Sequence, residues 1–165
     1  MASYKILIND RNYQDWSLVD ALSLNETEKI DIEPTKSKLF SSDVFELHDK
    51  TVNILHSSVR SMPSIPGILV LKNSKTFGKC KDKYLYKCIP DDRRFPVFVV
   101  PYNLKLGFSK NIDNKYIVFR FDNWNGKHPQ GTIVSVLGDV DILSNFYEYQ
   151  LYCKSLNASI QNFSR

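Results

Sequence analysis

The stretch Leu69-Val70-Leu71-Lys72-Asn73-Ser74-Lys75-Thr76-Phe77-Gly78-Lys79 decides how the chain is read. An apolar run of strand length, starting at Ile68, is stopped by the turn formers Asn73-Ser74. A lysine-flanked Phe77 follows, with Gly78 free to bend the chain. Working outward, Tyr84–Ile89, Pro96–Val100, Tyr116–Phe121 and Gly131–Leu137 are further runs of β-branched and aromatic residues between polar loops. Five such strands between Gly67 and Gly138 predict a small β-barrel, since closure removes the exposed edges of so short a module. Strand count alone would fit an SH3-like barrel equally well.

Before this module the signals are mixed. Tyr4–Ile8 reads as a strand closed by Asn9-Asp10, and Trp16–Leu24 as either a strand or a helical turn. Ile30-Asp31-Ile32 alternates until Pro34 interrupts it. Asp43–Leu47 and Thr51–Leu55 place apolar residues two apart around His48-Asp49-Lys50, which predicts a hairpin. Arg60–Gly67, with two prolines and a glycine, is the natural boundary. After the barrel, Ile142, Phe146, Gln150 and their neighbours follow helical spacing, giving a helix over Ile142–Ser155 with Asp141 as N-cap and a polar tail. The expected fold is mainly β: a strand-rich module over 1–66, a five-stranded barrel over 67–140, and a C-terminal helix and tail over 141–165.

Charge is unevenly divided. Residues 1–66 carry 7 Lys+Arg against 10 Asp+Glu, and residues 67–165 carry 15 against 8, so a polyanion would meet the second half. Three irregularly spaced cysteines, Cys80, Cys88 and Cys153, suit neither a disulfide framework nor a zinc site and read as reduced thiols. With no secretory signal and no apolar run long enough to span a bilayer, the expectation is an intracellular protein, cytoplasmic or nuclear, without a membrane partner.

The Leu69–Lys79 stretch resembles the first two strands of a cold-shock domain, an OB-type barrel in which a Lys-Gly-Phe-Gly element presents an aromatic ring to nucleic-acid bases. Val97-Phe98-Val99-Val100 is similar to that family's Val-Phe-Val-His element. Thr76 replaces the first glycine and Pro101 stands at the histidine position, which reduces the implied stacking surface. A second resemblance covers Gly67–Val140. Pro90-Asp91-Asp92-Arg93-Arg94-Phe95-Pro96, the run Lys115–Trp124, Pro129-Gln130-Gly131 and Leu137-Gly138-Asp139-Val140 occur in the order seen in the second cold-shock domain of ribonuclease II/R exoribonucleases, particularly exosome-type eukaryotic members. By implication, residues about 25–66 would be a divergent first cold-shock domain.

The resemblance implies a single-stranded RNA partner and a C-terminal nuclease domain whose clustered aspartates hold Mg²⁺. Two-metal chemistry needs several convergent carboxylates, and Asp91-Asp92, the only adjacent acidic pair, reads as an ion-paired turn. Asp139 and Asp141 read as helix-start residues. No phosphate-binding glycine loop or nucleophile–base pattern stands out: Gly67, Gly78 and Gly107 are isolated, and the three histidines suit surface or capping roles. No catalytic residue, metal ligand or cofactor is therefore expected in this chain. The candidate RNA-binding residues are Lys75, Phe77, Lys79, Arg93, Arg94, Lys115, Arg120, Trp124 and Lys127. The cations would neutralise phosphates. Phe77 and Phe98 either stack on bases or pack in the core, and Trp124 either stacks at the barrel mouth or plugs its end. The expected function is the RNA-guiding portion of a 3′→5′ exoribonuclease. A free-standing RNA binder or chaperone, and a protein-interaction module using the Phe146–Leu151 helix, are the alternatives.

Overall fold

At the amino-terminal end, alternating apolar side chains produce five short strands: β1 (Ser3–Ile8), β2 (Trp16–Asp20), β3 (Glu26–Thr27), β4 (Val44–His48) and β5 (Thr51–His56). They form one antiparallel sheet in the order β3-β2-β1-β4-β5. The computed structural model describes residues 2–28, 30–72, 75–104 and 112–163, with side chains described in the last helix as far as Ser155. The Asn73-Ser74 turn, Gly107 and the end of the polar tail lie outside the described residues.

Local chemistry explains the turns of this sheet. Asp49 and Lys50 both have positive φ, 46° and 71°, the two-residue reversal that matches the twist of a hairpin, and β4 and β5 pair across it. Trp16–Leu24 resolves into strand then turn, because the Asp20 carboxylate accepts hydrogen bonds from the Leu22 and Ser23 amides, both at 2.9 Å. Ile30–Ile32 forms no strand. The Ile32 amide donates to the Ile30 carbonyl at 2.8 Å, a three-residue turn that breaks the alternation. Ile6, Ile8, Leu18, Leu39, Phe40 and Phe45 are buried with no exposed surface. Contacts divide the chain into two units: residues 1–61 with 93–96, and residues 62–92 with 97–165. The first unit closes with α1 (Ser58–Ser61).

The second unit contains β6 (Ile65–Leu69), β7 (Lys79–Cys80), β8 (Lys83–Pro90), β9 (Phe98–Tyr102), β10 (Lys115–Asn123) and β11 (Gln130–Asp139). β6, β8, β9, β11 and β10 pair in that order, and β10 returns to β6, so five strands close a barrel, with β7 added at the edge of β8. The β9–β11 pairing is parallel and the others are antiparallel. This Greek-key closure is that of an OB-fold and decides against the SH3-like alternative. β6 begins earlier than its apolar run, taking in Pro66 and Gly67 from the expected boundary segment. The Pro66 carbonyl accepts from Asp91 at 3.1 Å, so Pro66 turns its missing donor toward β8 and leaves the β10 ladder intact.

Phe98 and Phe119 meet in the barrel core with ring centroids 4.9 Å apart, and neither is exposed, which settles Phe98 as a packing residue. The last helix, α2 (Leu143–Phe163), starts one residue later than expected. Ile142, not Asp141, directly precedes it, so Asp141 stands one position too early to cap it. Tyr149 and Cys153 bury against Tyr116 of β10, and the Tyr116 and Tyr149 rings stack at 4.4 Å. Leu143, Tyr147 and Leu151 form an exposed stripe on this helix. Among the described residues, no helix is long and apolar enough to cross a membrane.

Candidate nucleic-acid interface

The chain between β6 and β8 and the loop between β10 and β11 meet over one face of the barrel. Phe77 is fixed by two backbone bonds: its amide donates to the Leu85 carbonyl, and the Leu85 amide donates to the Gly78 carbonyl, each at 2.8 Å. Gly78 has φ +105°, a conformation that side chains disfavour, and this lets the chain turn immediately after Phe77. The Phe77 ring is 42% exposed and meets His128 edge to face at 5.7 Å. Together they border a groove of about 590 Å³. Leu85 of β8 and Val99 of β9 supply apolar lining, while Asp122, Asn123, Asn125 and Lys127 supply polar groups. An apolar cleft of this size with a few convergent polar groups is the ordinary form of a binding site. In OB-folds the second and third strands and these two loops form the ligand face.

His128 is held below the ordinary imidazole range, first by partial burial and then by the neighbouring positive charges of Lys127 and Lys87. Near neutral pH its ring is therefore uncharged, and Lys127 carries the positive charge of this loop. Gln130 also lines the groove, and its amide donates to Cys80 Sγ at 3.3 Å. Lys79 lies over the exposed ring of Tyr84, with Nζ 4.8 Å from the centroid.

The expected site residues fall into distinct groups. Phe77 and Lys127 line the groove, and the exposed Lys75 and Lys79 flank Phe77 on the same chain segment. Arg120 is exposed and shares a face of β10 with the groove residue Asp122, two positions on. Lys115 stands at the opposite end of β10, where it pairs with Asp139 across the β10–β11 ladder. That hydrogen bond raises its pKa further and occupies its ammonium group. Trp124 is only 6% exposed, so its ring is buried and offers no open face to a base. Arg93 and Arg94 belong to the first unit, not to the barrel.

His128, Lys87, Asp122, Asn123, Asn125 and Gln130 were not among the expected residues. The Asn125-Gly126 dipeptide reads as a hairpin turn, and the strand period that places Lys87 beside Leu85 carries no mark of function. Among the described residues, Asp113, Asp139 and Asp141 are the only acidic group with ligand atoms close enough to share an ion, within 4.8 Å of one another. Within this trio, Asp139 is paired with the Lys115 ammonium.

The family model of the Dis3-like cold-shock domain 2 matches residues 85–146, which runs from β8 through β9, β10 and β11 to the first turn of α2. No curated protein matches the chain. The matched residues contain the Asp122–His128 wall of the groove, and β6, which precedes them, completes the OB-order closure. Residues 85–146 are thus similar to a Dis3-like cold-shock domain 2, and the barrel to which they belong closes as an OB-fold.

Proposed function

We infer that this protein binds single-stranded RNA along the barrel groove and guides it toward the catalytic domain of a 3′→5′ exoribonuclease. The observation that carries the RNA reading is the meeting of Phe77 with Lys127 and His128 across the groove, on the ligand face of an OB-fold. Phe77 supplies a partly open aromatic surface for a base. Lys75, Lys79 and Lys127 supply phosphate neutralisation. His128, uncharged near neutral pH, adds apolar and hydrogen-bonding surface without a fixed charge. None of these groups performs hydrolysis, and Mg²⁺ chemistry belongs to the catalytic domain of the proposal. Three free cysteines support an intracellular setting.

Fluorescence anisotropy with a labelled single-stranded RNA tests the binding. Affinity should fall as salt rises, by about 0.7 in log K per phosphate contact for each log unit of salt. Equal affinity for duplex RNA, or indifference to ionic strength, would overturn the reading. The exonuclease half of the proposal rests on the family match. It is tested by the reading frame after residue 165, where a continuation with clustered aspartates is expected and an immediate stop codon would favour a free-standing binder.

A further inference from the structure

The groove does not have the composition of a simple phosphate track. Asp122 lines it beside Asn123 and Asn125, and an uncompensated carboxylate repels phosphate. Among the described residues, no hydrogen bond or ion pair engages the side chains of Asp122, Asn123 or Asn125. Lys127, on the same loop, supplies the opposite charge. A ligand matching all of these groups is anionic at one end and rich in N–H donors at the other. Between the two ends it must be flat and apolar enough to rest among Phe77, Leu85 and Val99.

We propose that the groove selects an unstacked guanine base, with the Asp122 carboxylate accepting from its Watson–Crick edge and Lys127 meeting a flanking phosphate. This deepens the RNA-binding reading and rests on it. An ionised carboxylate only accepts hydrogen bonds, so its partner must present donors. Guanine places two adjacent donors, N1–H and the N2 amino group, on one edge, and a carboxylate accepts such a pair through both oxygens. Adenine and cytosine each offer one amino group beside an acceptor. Uracil flanks its single N–H with two carbonyls, which would face the carboxylate unfavourably. Asn123 and Asn125 each carry both a donor and an acceptor and so complement the remaining polar edge of the base. Single-stranded RNA is read in this way, through splayed bases recognised on their edges.

The test uses the full chain and short labelled oligouridylates: one all-uridine, one with a single central guanosine, and one with inosine at that position. The guanosine oligomer should bind roughly tenfold tighter than the all-uridine one. Inosine lacks the N2 amino group and should lose most of that gain. In Asp122→Asn, an exposed position that should leave folding intact, the guanosine-to-uridine affinity ratio should collapse to unity. Equal affinity for all three oligomers would overturn the guanine assignment, as would a preference that survives Asp122→Asn; either result leaves the RNA-binding reading in place. If no oligomer binds at all, that reading falls and the guanine assignment with it.

Discussion

The ring of Phe119 occupies the space that a Cβ on Gly131 would need: the two would lie 2.8 Å apart. The Arg120 carbonyl stands at 3.0 Å from the same point, so backbone as well as side chain would have to yield. Gly131→Ala should therefore cost about 1–3 kcal/mol by overpacking the barrel. Urea unfolding reads this as a lower midpoint with an unchanged slope, and an unaltered midpoint would refute it.

Phe77→Ala should separate binding from stability. The ring is partly exposed and its main described ring contact is His128, so unfolding should change by no more than about 0.5 kcal/mol. RNA affinity should drop by roughly 1–3 kcal/mol, the value of a lost base-stacking surface. An affinity loss accompanied by an equal loss of stability would point to a packing role instead.

The lysines should divide by the slope of log K against log salt. Lys127→Gln should reduce that slope by about 0.7, the share of one phosphate contact on a single strand. Lys115→Gln should leave the slope unchanged, because the Lys115 ammonium is held by Asp139 at the far end of β10. Equal changes in the two variants would mean that only overall charge is sensed.

A pH dependence should arise in the first unit. Burial raises the Asp43 carboxyl from 3.8 to about 6, although hydrogen bonds from the Phe40 amide and Ser57 and the charge of Arg60 pull it back. Between about pH 4 and 6 the folded state then holds a proton that the unfolded chain has released. Stability should consequently fall as pH rises through that window and level off above it, by an amount on the order of 2–3 kcal/mol. Asp43→Asn keeps an acceptor for the Phe40 amide, which lies 2.8 Å from the carboxylate. In that variant the decline should vanish, as followed by hydrogen exchange of the β1 and β4 amides.

The strand segments were legible because β-branched and aromatic runs mark them directly, as at Tyr84–Ile89 and Tyr116–Phe121. The start of β6 was not, since Pro66-Gly67 has the composition of a linker. Gly67 is there because a Cβ would come within 2.9 Å of both Cys88 and Phe119, a constraint visible only after the barrel closes. For the site, aromatic and basic composition identified Phe77 and Lys127. It could not expose the Lys115–Asp139 pair, which depends on strand register, or the burial of Trp124. Asp122, Asn123 and Asn125 were hidden for a related reason: short polar residues near a turn look the same whether they cap the turn or face a ligand.

Val99 and Gln130, which both line the groove, are also the one register pair that joins β9 to β11, supported by a 2.9 Å bond from the Val99 amide to the Pro129 carbonyl. The cleft therefore straddles the narrowest seam of the barrel. An oligonucleotide lying across it would act as a clasp on the joint that has the fewest ladder pairs of its own. Ligand occupancy and barrel closure become one equilibrium, so binding should slow amide exchange at Val99 more than at the long β10–β11 ladder.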